Sequence, residues 1–153
     1  APSPAPNSRR RPPSKPRPPL PSSKRWPSSR LRRLPRPQRR RLAAEYARTL
    51  PAGVVLPVEQ PGCRHVYHLY VVRVPERDRV RQELAAQGIG AGIHYPVPIH
   101  LQPGYRDVVA VPAPLTVTER AAEEILSLPL HAGMTVEDVA QVAAALANTL
   151  QRL

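Results

Sequence analysis

All 11 carboxylates of this 153-residue chain lie beyond residue 41, whereas residues 1–41 carry 14 of its 23 lysines and arginines and 12 of its 22 prolines. Such a segment cannot build a core. Proline removes backbone donors and blocks helix, the like charges repel, and too little apolar area is present to offset an ordering entropy of roughly 1–2 kcal/mol per residue. The sequence therefore divides into a disordered Pro/Arg/Ser-rich tail with local polyproline II, residues 1–38, and a folded domain, residues 39–153. Formal charge divides with it, +14 over residues 1–41 and −2 over residues 42–153, so the net +12 describes a tail and not a domain surface.

Three readings of the tail stay open. As an Arg-rich arm it would bind nucleic acid by neutralising phosphates, although Trp26 is its only aromatic and no stacking platform accompanies the charge. PSKPRPP would suit a proline-recognition domain. The favoured reading is text from a GC-rich gene translated out of frame, because the change in composition near Gln38 is abrupt. Cys63 is the single cysteine, so no internal disulfide forms and a cytoplasmic location is the expectation. No apolar run approaches the roughly 20 residues that span a bilayer, and the N-terminus lacks the apolar segment of a signal peptide, so no membrane partner is expected. The chain begins at Ala1 and its one methionine is Met134, which reads as a processed start or a fragment.

Within the domain, Leu42, Tyr46 and Leu50 recur at helical spacing and predict a helix from Arg39 to Leu50, ended by Pro51. VYHLYVVRV, residues 66–74, alternates and is β-branched or aromatic almost throughout, which predicts a strand. Pro75 opens a helix with Glu76 and Asp78 in its first turn and Val80, Leu84 and Ala85 on its buried side. Gly88 closes it, with Ile89 as the apolar contact of the cap, and a short strand from Ala91 to His94 should follow. Thr116-Val-Thr-Glu119 has the form of a capping box and predicts a helix to about Leu126, with Val117, Ala121, Ile125 and Leu128 on one side. Thr135-Val-Glu-Asp138 starts the last helix, striped by Val139, Val142, Ala143, Leu146 and Leu150. Strands mixed with helices predict a small α/β (α+β) fold rather than a bundle.

Chemistry-bearing side chains are few. His65 and His68 sit three apart in an extended run and should diverge, while His94 and His100 are separated by a stiff Pro-containing loop, so the histidines do not converge as metal ligands. His131 reads as a solvated loop histidine. Cys63 beside His65 lacks the third group and oxyanion hole that a thiol nucleophile needs. Gly88-Ile-Gly90-Ala-Gly92 follows a helix and precedes a strand, the wrong order for a phosphate loop. What remains is Gly92-Ile-His-Tyr-Pro96 and the following Val-Pro-Ile-His100. A strand edge ending in His94 and Tyr95 before two prolines puts hydrogen-bonding tips on a stiff loop, suited either to a ligand or to capping a core edge.

Four linked blocks, HVYHLYVVRV, RDRVRQELAAQGIGAGIHYPVPIHLQPGY, TERAAEEILSLPL and TVEDVAQVAAAL, preceded by RRRLAAEYARTLP, resemble in order and spacing the C-terminal end of the DegT/DnrJ/StrS family of sugar aminotransferases. The resemblance covers about residues 38–153. Two departures are Val111-Pro-Ala-Pro114, where the family has a Gly-Asp-containing approach to the TE helix, and His131-Ala-Gly133, where it often has proline.

The resemblance implies the small C-terminal domain of a fold-type I enzyme that uses pyridoxal phosphate to move an amino group, usually from glutamate, to a keto group on a nucleotide-activated sugar. In the intact family the cofactor is an imine on a lysine of the large domain, the enzyme is a homodimer, and the small domain closes over the active site. Lys15 and Lys24 both fall in the tail, so no catalytic, cofactor-binding or metal-ligating residue is assigned, and the chain is expected to be a fragment inactive alone that does not hold the cofactor. His94 and Tyr95, with His100 behind them, would contact the sugar nucleotide by positioning it rather than by abstracting its proton. The rival from another class is a dimerisation module whose basic arm binds nucleic acid, and a third is an accessory subunit that completes a partner's active site.

Overall fold

A computed structural model describes residues 36–153 apart from Asp107 and Ala132. The expectations of disorder, polyproline II and nucleic-acid or proline-domain binding for the tail, and both lysines, fall outside the described residues except for positions 36–38, which are helical. The elements run in the order α1 (Arg36–Thr49), β1 (Tyr70–Arg73), α2 (Arg77–Ala86), a 3-10 turn (Ile99–Leu101), α3 (Thr116–Glu124), β2 (Ile125–Leu128) and α4 (Val136–Leu150).

Helix α1 is described from Arg36, so it already includes the three residues before the expected Arg39. Its Leu42, Ala43 and Tyr46 are buried. Tyr46 has no exposed surface, stacks on Tyr70 with ring centroids 4.7 Å apart, and donates its hydroxyl to the Pro129 carbonyl at 2.8 Å. That bond answers the polar tip of an otherwise apolar burial.

β1 and β2 pair antiparallel with Tyr70 opposite Leu128 and Val72 opposite Leu126. Single bridges flank the pair, Val55 on Arg73 and Gly92 on Ser127. Both strands differ from the sequence expectation. The run 66–74 is extended only over Tyr70–Arg73, because Tyr67 takes a left-handed conformation (φ 46°) with its N–H donated to His65 Nδ1 at 2.9 Å. The expected third helix stops at Glu124, and Ile125–Leu128 is a strand rather than a helical face. A short apolar run is ambiguous between helix and strand, and β1 needs a partner for its backbone groups. Val117, assigned to the inward side, is exposed. The Ala91–His94 strand shrinks to the Gly92 bridge.

α2 buries Val80 and Leu84 while Ala85 faces solvent. Gly88 (φ 77°) closes it as expected, donating to the Ala85 carbonyl, with Ile89 N–H on the Leu84 carbonyl and Ile89 packed on the core. Buried Arg77 donates to the carbonyls of Ala122 (3.1 Å) and Ile125 (3.3 Å), which satisfies orphan acceptors where α3 becomes β2. Thr135 forms the expected capping box: its Oγ1 accepts from Asp138 N–H at 3.2 Å and its N–H donates to Asp138 Oδ2 at 2.8 Å. Thr116 does not cap α3, since Leu115 holds the N-cap position. The core is continuous from α1 through the two strands to α2 and α4, a mixed helix-and-sheet fold as expected.

Candidate functional site

The site is built on residue 92. Gly92 donates to the Ser127 carbonyl at 3.0 Å and accepts from Ser127 N–H at 2.7 Å, fixing the loop to β2. A Cβ at residue 92 would lie 2.8 Å from His94 Cε1, so glycine lets the imidazole fold back over the bridge. There His94 Nδ1 meets Ser127 Oγ at 2.9 Å, the donor following the imidazole tautomer. Ser127 is buried and gains a partner, while the His94 side chain remains exposed with no hydrogen-bond partner for Nε2 among the described residues.

Tyr95 follows across a cis peptide and is 76 % exposed, its ring edge-on to His94 at 5.9 Å between centroids. It stands at a groove of about 440 Å³ with Val97 and Ile99 on the loop side and Val117, Ala121 and Ile125 on the α3 side. His100 is not among the residues lining this groove. Its side chain is 9 % exposed and its Nε2 lies 3.0 Å from Glu119 Oε1, tying the 3-10 turn to α3. The structure thus brings His94 and Tyr95 together and sets His100 apart.

Sequence reasoning missed Ser127 and Glu119. Ser127 was hidden in ILSL, read there as helix, and Glu119 was assigned to a cap that does not form. A larger cavity of about 630 Å³ lies between the Gly88 turn and α4, but none of the three candidate residues lines it, and its Asp138 is committed to the cap.

Among the described residues no three His, Cys, Asp or Glu side chains gather as a metal site. Cys63 is exposed, and His65 Nδ1 accepts from Tyr67 N–H rather than serving the thiol. The described residues contain no lysine, so they supply no primary amine for the imine on which pyridoxal phosphate chemistry depends and do not fit that cofactor by themselves. No helix of the described residues is long and apolar enough to cross a membrane.

The sequence profile of the DegT/DnrJ/EryC1/StrS aminotransferase family matches residues 28–147. The chain is 42 % identical over 97 residues to a pleiotropic regulatory protein of Geobacillus stearothermophilus, covering 61 % of this chain and 26 % of that protein. It is 42 % identical over 95 residues to the dTDP-3-amino-3,4,6-trideoxy-alpha-D-glucose transaminase of Streptomyces venezuelae, covering 61 % and 25 %. The crystal structure of S. venezuelae DesV in complex with a ketimine intermediate superposes with a TM-score of 0.71 at 36 % identity over 77 % of this chain and 32 % of that one. The chain therefore spans about a quarter to a third of these relatives. With the match running across most of its length, the chain belongs to the DegT/DnrJ/EryC1/StrS aminotransferase family.

Proposed function

We propose that this chain, from α1 onward, forms the small-domain wall of the active site in a pyridoxal-phosphate-dependent aminotransferase for nucleotide-activated keto sugars, and that alone it is inactive. One observation carries the reading: the His94–Tyr95 loop is presented on a rigid strand edge, while the described residues contain no lysine. Ser127 holds the His94 ring through Nδ1, which leaves Nε2 to hydrogen-bond a hydroxyl or carbonyl of the sugar. Tyr95 offers a phenol beside it, at an open, largely apolar groove that includes Ile99 and Val117. These groups bind and orient. Proton transfer at the substrate belongs to a lysine that a partner domain of the homodimeric family would bring, as would the amino-acid donor site. His100, held by Glu119, shapes the loop and is the weaker substrate contact.

The test mixes the full chain with pyridoxal phosphate, glutamate and a nucleotide keto sugar, with and without a separately expressed lysine-bearing large domain of the family. We expect no imine absorbance and no turnover from the chain alone, and turnover on mixing that H94A and Y95F weaken chiefly through KM. Turnover by the chain alone would overturn the reading, as would mixed turnover indifferent to both substitutions.

A further inference from the structure

Away from the histidine loop, positive charge concentrates at the start of α1. Arg36 and Arg40, one turn apart, face Arg64 and His65 across a pocket of about 210 Å³ completed by Val66. No carboxylate lines it. The nearest acid is already committed, since Glu59 takes both terminal nitrogens of Arg40 and the His65 N–H, and Arg40 Nη1 also reaches the His65 carbonyl at 2.8 Å. Arg40 is thereby held in place with its charge balanced by Glu59, and the uncompensated charge at the pocket rests on Arg36 and Arg64. Arg36 and Arg64 are exposed and make no hydrogen bond or ion pair with any described residue.

The described first turn of α1 contains no acidic residue to offset these side chains. Arg36 and Arg64, neither paired with an acid among the described residues, repel one another, and an anion between them reverses the sign of that interaction. The guanidinium fork matches pairs of phosphoryl oxygens. We infer that Arg36, Arg40, Arg64 and His65 form a binding pocket for a small phosphate-bearing anion, with Arg36 and Arg64 donating to its oxygens. The pocket shares no lining residue with the groove at Tyr95, and the inference does not depend on the proposed function.

Isothermal titration of the full chain with inorganic phosphate, pyrophosphate and uridine diphosphate, at constant ionic strength, tests the inference. Saturable binding is expected, weakened on the order of tenfold by either R36Q or R64Q and unchanged when Arg9, Arg10 and Arg11 are replaced by glutamine. Both pocket arginines are exposed, so the variants should keep the wild-type circular dichroism. Equal affinity for pyrophosphate and uridine diphosphate assigns the site to the free anion, and tighter uridine diphosphate assigns it to a nucleotide. Absence of binding, indifference to R36Q and R64Q, or loss only with the tail arginines would each overturn it.

Discussion

Ser127 Oγ stands 2.9 Å from His94 Nδ1, so a side-chain hydrogen bond adds to the two backbone bonds by which Gly92 joins the exposed loop to core strand β2. S127A removes the partner without opening a large cavity and should lower stability by about 1 kcal/mol in urea denaturation. The sharper readout is the His94 ring in histidine-selective NMR, which should lose its single orientation. G92A should displace the same ring through its new Cβ. A His94 signal indifferent to both changes would contradict the tether.

Tyr95 and His100 should respond unequally to truncation. H100A removes a nearly buried ring from Glu119 and is expected to destabilise by about 1 kcal/mol. Y95A, at a side chain open to solvent, should stay within about 0.5 kcal/mol. Thermal melts of the two variants make the comparison.

Leu126 is fully buried on β2, and its truncation to alanine should cost about 2–5 kcal/mol. V117A, on the helical face that the sequence pattern turns inward, should cost under about 0.5 kcal/mol. Chemical denaturation separates a strand at 125–128 from a continued helix by this contrast. Likewise T135A should cost about 1 kcal/mol through its lost cap, and T116A little.

Acid should weaken the fold through Glu124. Hydrogen bonds from Arg120 and Arg73 hold its carboxyl below the usual carboxylate range. A depressed folded pKa means the stabilisation is present above the unfolded value, about 4.3, and is lost as pH falls through the folded value. The denaturation midpoint of E124Q should therefore depend less on pH below about 5 than that of the wild type.

At the alkaline end the sign reverses. Burial pushes the Tyr70 phenol up to about 12 and raises Tyr46 further. Both stay neutral when folded, so their contribution is complete below the unfolded value near 10 and is lost as pH rises toward the folded ones. Phenolate absorbance from this buried pair should therefore appear together with unfolding rather than before it.

The helical periods of α1, α2 and α4 and the cap at Thr135 were legible because each depends on neighbours within two turns. The end of α3 was not. Whether Ile125–Leu128 coils or extends is settled by Tyr70–Arg73, more than fifty residues earlier, and by Arg77 reaching across to the Ala122 and Ile125 carbonyls. The same distance concealed half of the site. The Gly-Ile-His-Tyr-Pro motif marked His94 and Tyr95, but their supports arrive through pairing that no local pattern encodes.

Both histidines of the loop are anchored to one unbroken stretch of chain, His100 to Glu119 and His94 to Ser127, with helix passing directly into strand between the anchors. Loop and stretch therefore behave as a single cassette. Exchanging residues 92–100 between family members without residues 116–128 would separate each ring from its holder, whereas moving both together transfers the loop's shape intact.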